Sequence, residues 1–248
     1  MSIKESLRLV PHGDIAVIEF DLVGEKVNKF STPIMLRLKE IFQELKNSSY
    51  KAVVITSKKP KIFIAGADID EIKIMTTKEQ FSKAVEEGQG IFNMLEDLPQ
   101  ITIAAIHGAC AGGGCEMIMA CDYRICSDDS STRIGLPETQ LGIIPGFGGC
   151  GRMPRMIGLQ AALDVILAGK LLNTKKALKT GLVDRVVHQN LLMAESLKWA
   201  EKLIQEGKGK RHKKFKPAGM INVMLEGPLR SVVFSKAKQG VMKATRGH

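Results

Sequence analysis

The stretch HGACAGGGCEMIMAC (107–121) limits this chain's folding more than any other. Three consecutive glycines do not belong inside a stable helix, because each costs roughly 1 kcal/mol of helix propensity. They mark a place where bare backbone approaches something else closely. The apolar residues that follow carry one acid, Glu116, whose neighbours at helical spacing are Gly112, Gly113, Met119 and Ala120. None of these is a charge partner. Ionised carboxylates are almost never fully buried without one, so the surroundings of Glu116 need an explanation.

The flanking sequence predicts the frame. Alternation in IAVIEFDL (15–22) and the apolar runs KAVVITS (51–57) and ITIAAIHG (101–108) predict strands, the last buried on both faces. PIMLRLKEIFQELK (33–46) has helical spacing, with Pro33 near its start. Thr76 with Glu79 predicts a capping box for a helix over 77–97, and a further helix is expected from Gly113 to Cys121. YRICS (123–127) and TRIGL (132–136) read as short strands, and LQAALDVILAGK (159–170) and TKKALKTG (174–181) as helices. Thr174 and Gly181 are the expected caps of the second helix. Strands alternating with helices imply α/β architecture with mostly parallel pairing.

The glycine-rich stretch allows three readings. Residues 101–121 have the length of a membrane span, with a GxxxG at Gly108 and Gly112. Three glycines, a histidine and a central glutamate oppose it, and the acidic flanks mark no positive side. A dinucleotide loop is suggested by GFGGCG (146–151), which matches GxGxxG. Pro145 precedes it and no acid follows at the required distance, so a tight turn into a helix near 152–158 is preferred. The third reading is an oxyanion loop, where a buried strand runs into glycines and a helix N-terminus offers free amides. Glu116 then lies one turn into that helix with a raised pKa, suited to moving protons near neutrality. Against this stands a glutamate satisfied by a distant base such as Arg124 or Arg152.

Composition narrows the setting. Of 248 residues, 44% are apolar and only 5% aromatic, so the core is aliphatic and rich in Met. The five cysteines form no CxxC pair, and Cys110, Cys115, Cys121 and Cys126 lie in apolar stretches, as reduced buried thiols do. No metal site is expected. MSIKESLRLV lacks the apolar core of a secretory signal. Residues 201–248 hold 12 basic against 3 acidic side chains, which is +9 of the total +10. This tail, with KGKRHKKFK at 208–216, is a solvated basic segment or a contact for an anionic partner such as a membrane surface. Without interleaved aromatics, nucleic acid is not expected.

IAGADI (64–69), AAIHGACAGGGCEMIMACDYRI (104–125), GLPETQLGIIPGFGG (135–149) and LAGKLLNTKKALKTGLVDRVV (167–187) occur in this order. Together they resemble the crotonase (enoyl-CoA hydratase/isomerase) superfamily over about residues 10–190. EKVNKFS (25–31) and the SDDSST insertion are similar in particular to the hydratase/isomerase module that opens multifunctional fatty-acid oxidation α-subunits. No dehydrogenase module follows here, which fits either an excised module or a second activity on another chain. The resemblance implies an α/β crotonase-type spiral of ββα units over 1–190 and a helical basic segment over 191–248. That segment would mediate assembly and cover the pocket. Residues past about 190 match the family poorly, and Cys150-Gly151 replace its frequent Thr-Gln.

By the same resemblance, the backbone N–H groups of Ala67 and Gly113 form the oxyanion hole and Glu116 and Glu138 are catalytic. Read from the residues alone, Glu138 is a surface acid in a turn after Pro137. Lys26, Val27, Ala65, Gly66, Asp68, Ile69, Asp70 and Gly112 would line the path of substrate and coenzyme A. His107 is read as structural. Lys210, Arg211, Lys213 and Lys214 are candidates for the ligand's phosphates. The implied reaction is hydration of trans-2-enoyl-CoA with no cofactor beyond the coenzyme A of the substrate. Δ3,Δ2-enoyl-CoA isomerisation in the same site and a non-catalytic docking module are the alternatives. Implied partners are copies of the chain as a trimer or hexamer, or a fatty-acid oxidation complex. The implied compartment is bacterial cytoplasm or mitochondrial matrix.

Overall fold

The computed structural model describes residues 3–208, 215 and 220–244. Its strands are β1 (Leu7–His12), β2 (Ile15–Phe20), β3 (Ala52–Ser57), β4 (Ile62–Ile64), β5 (Ile101–Ile106), β6 (Ala109–Ala111), β7 (Tyr123–Ser127), β8 (Arg133–Gly135), β9 (Leu171–Asn173) and β10 (Arg185–Val187). Its helices are α1 (Ile3–Ser6), α2 (Thr32–Lys46), α3 (Ile69–Lys73), α4 (Lys78–Glu96), α5 (Gly113–Ala120), α6 (Gly149–Ile157), α7 (Leu159–Leu167), α8 (Thr174–Thr180), α9 (Leu192–Gln205), α10 (Met220–Glu226) and α11 (Arg230–Ala244). Short 3₁₀ turns occupy Glu138–Leu141 and Gln189–Leu191.

A large sheet has the order β1-β2-β3-β5-β7-β10, parallel except for the β1–β2 hairpin. A small sheet has the order β4-β6-β8-β9, parallel except for β8–β9. Three times the chain leaves a long strand of the large sheet for a short strand of the small one: β3 to β4, β5 to β6 and β7 to β8. After the first two of these steps a helix carries it back. This is the α/β spiral of ββα units implied by the resemblance. Strands β3, β5 and β7 are buried along their whole length, which is why β3 and β5 read as apolar runs rather than alternating ones.

One core lies between the sheets and is filled from α2, α4, α5, α6 and α7. A second lies on the far face of the large sheet under α9, where Trp199 packs edge-on to Tyr123, their rings 5.1 Å apart. Helix caps fall one residue from the expected places. Thr77 caps α4, in a reciprocal box with Gln80 rather than Thr76 with Glu79. Asn173, not Thr174, caps α8, while Gly181 closes it in the left-handed conformation as expected. Among the described residues no helix is long and apolar enough to cross a membrane, and 101–121 divide into β5, β6 and α5.

Candidate active site

Three parallel strands of the small sheet deliver the site. At their carboxyl ends β4 runs into residues 65–68, β6 into Gly112 and α5, and β8 into Pro137 and Glu138. Such ends are where α/β sheets bind ligands. All three segments line one cavity of about 920 Å³.

Each glycine of the central run has a separate task. Gly112 takes a φ of 53°, and a Cβ there would stand 3.1 Å from Glu138 Oε1. Gly113 opens α5, so its amide has no partner one turn back. Gly114 lets the helix press on β4: a Cβ would lie 2.5 Å from Ile64 O. Opposite, Phe30 and Ala67 form a parallel bridge in which Phe30 N donates to Gly66 O and Asp68 N donates to Phe30 O. In that geometry the flanking residues make the bonds and the N–H of Ala67 points away from the bridge. The two amides are neighbours, since a Cβ on Gly113 would lie 3.5 Å from Ala67 N.

Glu116 is 2% exposed. Its Oε1 accepts the amides of Phe147 and Gly149, each at 2.8 Å. Among the described residues no guanidinium bonds it: Arg124 goes to Asp184, and Arg152 acts on Glu116 through its field. The turn that sequence reading took for a simple entry into a helix is therefore the carboxylate's cradle. Burial raises the pKa of Glu116 to about 7; the Gly149 and Phe147 amides and Arg152 oppose this, and Glu138 adds to it.

Glu138 is 9% exposed, and its Oε2 has no hydrogen-bond partner among the described residues. Burial pushes its pKa upward too. It stands in a 3₁₀ turn, as the reading from Pro137 allowed, but its own side chain is the buried one of that turn rather than a solvent-facing acid.

Of the other expected residues, Ala65, Gly66, Ala67, Asp68, Ile69, Gly112 and Gly113 line the cavity, with Asp68 held by Lys29 at 3.1 Å. Lys26, Val27 and Asp70 do not. Asp70 sits on the outer face of α3 and pairs with Lys73, its side chain 82% exposed. Lys26 is exposed, and the inward residues of its loop are Asn28 and Phe30. Sequence reading missed Asn28, whose side chain bonds Leu22 N, Phe20 O, Ser57 Oγ and Phe63 O. It ties the loop to three strands, while its own carbonyl accepts Ala65 N. His107 Nε2 donates to Lys59 O, a structural tie as expected. Lys210, Arg211, Lys213 and Lys214 lie outside the described residues. The mouth is apolar: Leu36, Phe81, Leu141 and Ile144 line the cavity and remain largely exposed. Cys110, Cys115, Cys121 and Cys126 are buried, the Cys121 thiol donating to Met117 O, and no cluster of metal-binding type occurs among the described residues.

The chain belongs to the enoyl-CoA hydratase/isomerase family, whose family model matches residues 12–222. Within it, the chain is 42% identical over 240 residues to the fatty acid oxidation complex subunit alpha of Vibrio parahaemolyticus and 38% identical over 252 residues to that of Shewanella frigidimarina. These matches cover 96% and 100% of this chain but 33% and 35% of the relatives, so the chain spans about a third of their length. Among solved structures it is similar to an enoyl-CoA hydratase from Bacillus anthracis, with a TM-score of 0.75, 29% identity, and 96% and 91% of the two chains covered. It is also similar to the human mitochondrial Δ3-Δ2-enoyl-CoA isomerase, with a TM-score of 0.72, 25% identity, and 97% and 95% covered.

Proposed function

We propose that this chain hydrates trans-2-enoyl-CoA to 3-hydroxyacyl-CoA in fatty-acid β-oxidation. One observation carries the reading: two buried acids of raised pKa, from separate segments, share a cavity with two adjacent backbone amides. The amides of Ala67 and Gly113 hold the thioester oxygen. Glu116 takes a proton from water as its oxygen bonds to C3, and the C2–C3 π electrons move to the thioester oxygen as an enolate. The enolate collapses as Glu138 gives its proton to C2. Burial without a partner for Oε2 suits Glu138 to keep that proton until needed. No net oxidation state changes, so the step calls for no redox group; the two amides polarise the thioester carbonyl, and coenzyme A enters as part of the substrate.

Isomerisation of 3-enoyl-CoA is the second reading, favoured by the likeness to the human isomerase. It needs the same amides and one acid carrying a proton from C4 to C2. The relatives' name supports a place in a fatty-acid oxidation complex, and self-association as a trimer or hexamer and a bacterial cytoplasmic setting belong to the same reading. The test is addition of crotonyl-CoA or a longer enoyl-CoA while following loss of the conjugated thioester absorbance. Turnover that falls at least about 10²-fold in Glu116→Gln and in Glu138→Gln is expected. No turnover at any chain length, with tight binding to acidic vesicles, would instead make this a docking module.

A further inference from the structure

The two amides that hold Glu116 belong to residues 147 and 149, just ahead of and at the start of α6. Their place is set from α4. Gln89 Nε2 donates to Gly146 O at 2.7 Å. The Phe147 ring lies against Gly88, where a Cβ would be 2.3 Å from its Cε1, and packs edge-on to Phe92 at 5.5 Å. Arg152 completes the join. Its Nη1 donates to Phe147 O at 3.0 Å. Its Nε and Nη2 donate to Glu96 Oε2 at 3.0 and 2.8 Å, and Nη2 also donates to Asn93 Oδ1 at 2.6 Å. A planar fork holds such a geometry where an ammonium cannot.

We propose that Arg152 is a positioning residue for Glu116: it fastens the 147–149 turn to α4 so that both amides stay aimed at Oε1. This rests on the reading of Glu116 as the group that handles the water's proton. The groups that face Glu116 are Glu138 from the 3₁₀ turn, Arg152 and the Cys150 thiol from α6, and the Cys115 thiol from its own helix. Arg152 is the cation among them. Losing it both frees the turn and removes the charge that favours the ionised acid.

The experiment uses the whole chain with Arg152→Gln, Arg152→Lys and Glu96→Gln. Without substrate, carbon-13 NMR of labelled glutamate carboxyls, assigned by Glu116→Gln, reads the titration midpoint of Glu116. Arg152→Gln raises it by about half a unit or more, while Arg152→Lys and Glu96→Gln, which keep the cation, move it less. With enoyl-CoA, kcat falls roughly 10- to 100-fold in Arg152→Gln while KM stays within about threefold. Glu96→Gln lowers kcat by a smaller factor. A folded Arg152→Gln with unchanged midpoint and kcat overturns the proposal. If that variant does not fold, an unchanged kcat in Glu96→Gln does so. A wild-type chain that turns over no enoyl-CoA overturns the hydratase reading instead, and the NMR titration still decides the role of Arg152.

Discussion

Burying Glu116 costs the fold stability, and the sign of that cost is testable. Its folded pKa of about 7 lies above the ordinary 4.5, chiefly through burial. Below pH 4.5 both folded and unfolded chains hold the proton and nothing is lost. Between pH 4.5 and about 7 the unfolded chain gives up this proton while the folded one keeps it, so stability falls across that window and levels off once the buried acid ionises. Glu116→Gln, measured by urea unfolding, is therefore expected to be about 1–3 kcal/mol more stable than wild type at pH 8, with the gain vanishing by pH 4. Equal stability at pH 8 would mean that the carboxylate is well solvated. In the proposed reaction the acid limb of the pH–rate profile should fall near pH 7 and belong to Glu116, whose pKa Glu138 helps to raise. Of the residues that make this site, Glu116 was legible because an acid stood alone in an apolar run. Glu138 was not, except by resemblance, because Pro137 and a turn look the same whether they face water or a cavity. The Phe147 and Gly149 amides were out of reach for another reason: backbone donors leave no mark on composition.

At the scale of elements, periodicity worked where an element is long. It found α2, α4, β3, β5 and β7 within a residue or two. It missed β6 and β9, three residues each, too short for a period of two to show, whereas the equally short β8 was read within the longer run TRIGL. It missed β1 because Pro11 and His12 break its pattern, which an edge strand tolerates. Cap register failed by one residue at α4, where Thr76 and Thr77 both offer a box and Gln80 Oε1 accepts both of their amides. Two predictions belong here. Thr77→Ala should cost about 1 kcal/mol in denaturant unfolding, whereas Thr76→Ala should cost clearly less. Gly114→Ala should destabilise by about 1–3 kcal/mol, because the methyl meets the backbone of β4 and neither side can yield easily.

Across the whole molecule, the large sheet is closed by a buried ion pair. Arg124 on β7 is fully buried, and Asp184 Oδ2 accepts both its backbone amide at 2.9 Å and its Nη2 at 3.0 Å. This tie holds the segment entering β10 to β7. Asp184→Ala removes this buried acceptor from the guanidinium and should cost about 3–5 kcal/mol by urea unfolding. A loss under about 1 kcal/mol would show that carbonyls and solvent suffice. Sequence alone offered Arg124 or Arg152 as a distant base for Glu116, since nothing along the chain says which side of β7 the Arg124 side chain serves. In the proposed reaction the acyl thioester oxygen sits between two amides, with both acids at the reacting carbons. A crystal structure with a 3-ketoacyl-CoA that cannot be hydrated tests this most directly. It should place the thioester oxygen about 2.7–3.1 Å from the N atoms of Ala67 and Gly113, with Glu116 and Glu138 both at the acyl C2–C3 unit. A thioester bound elsewhere, or either carboxylate turned away from it, would contradict the account.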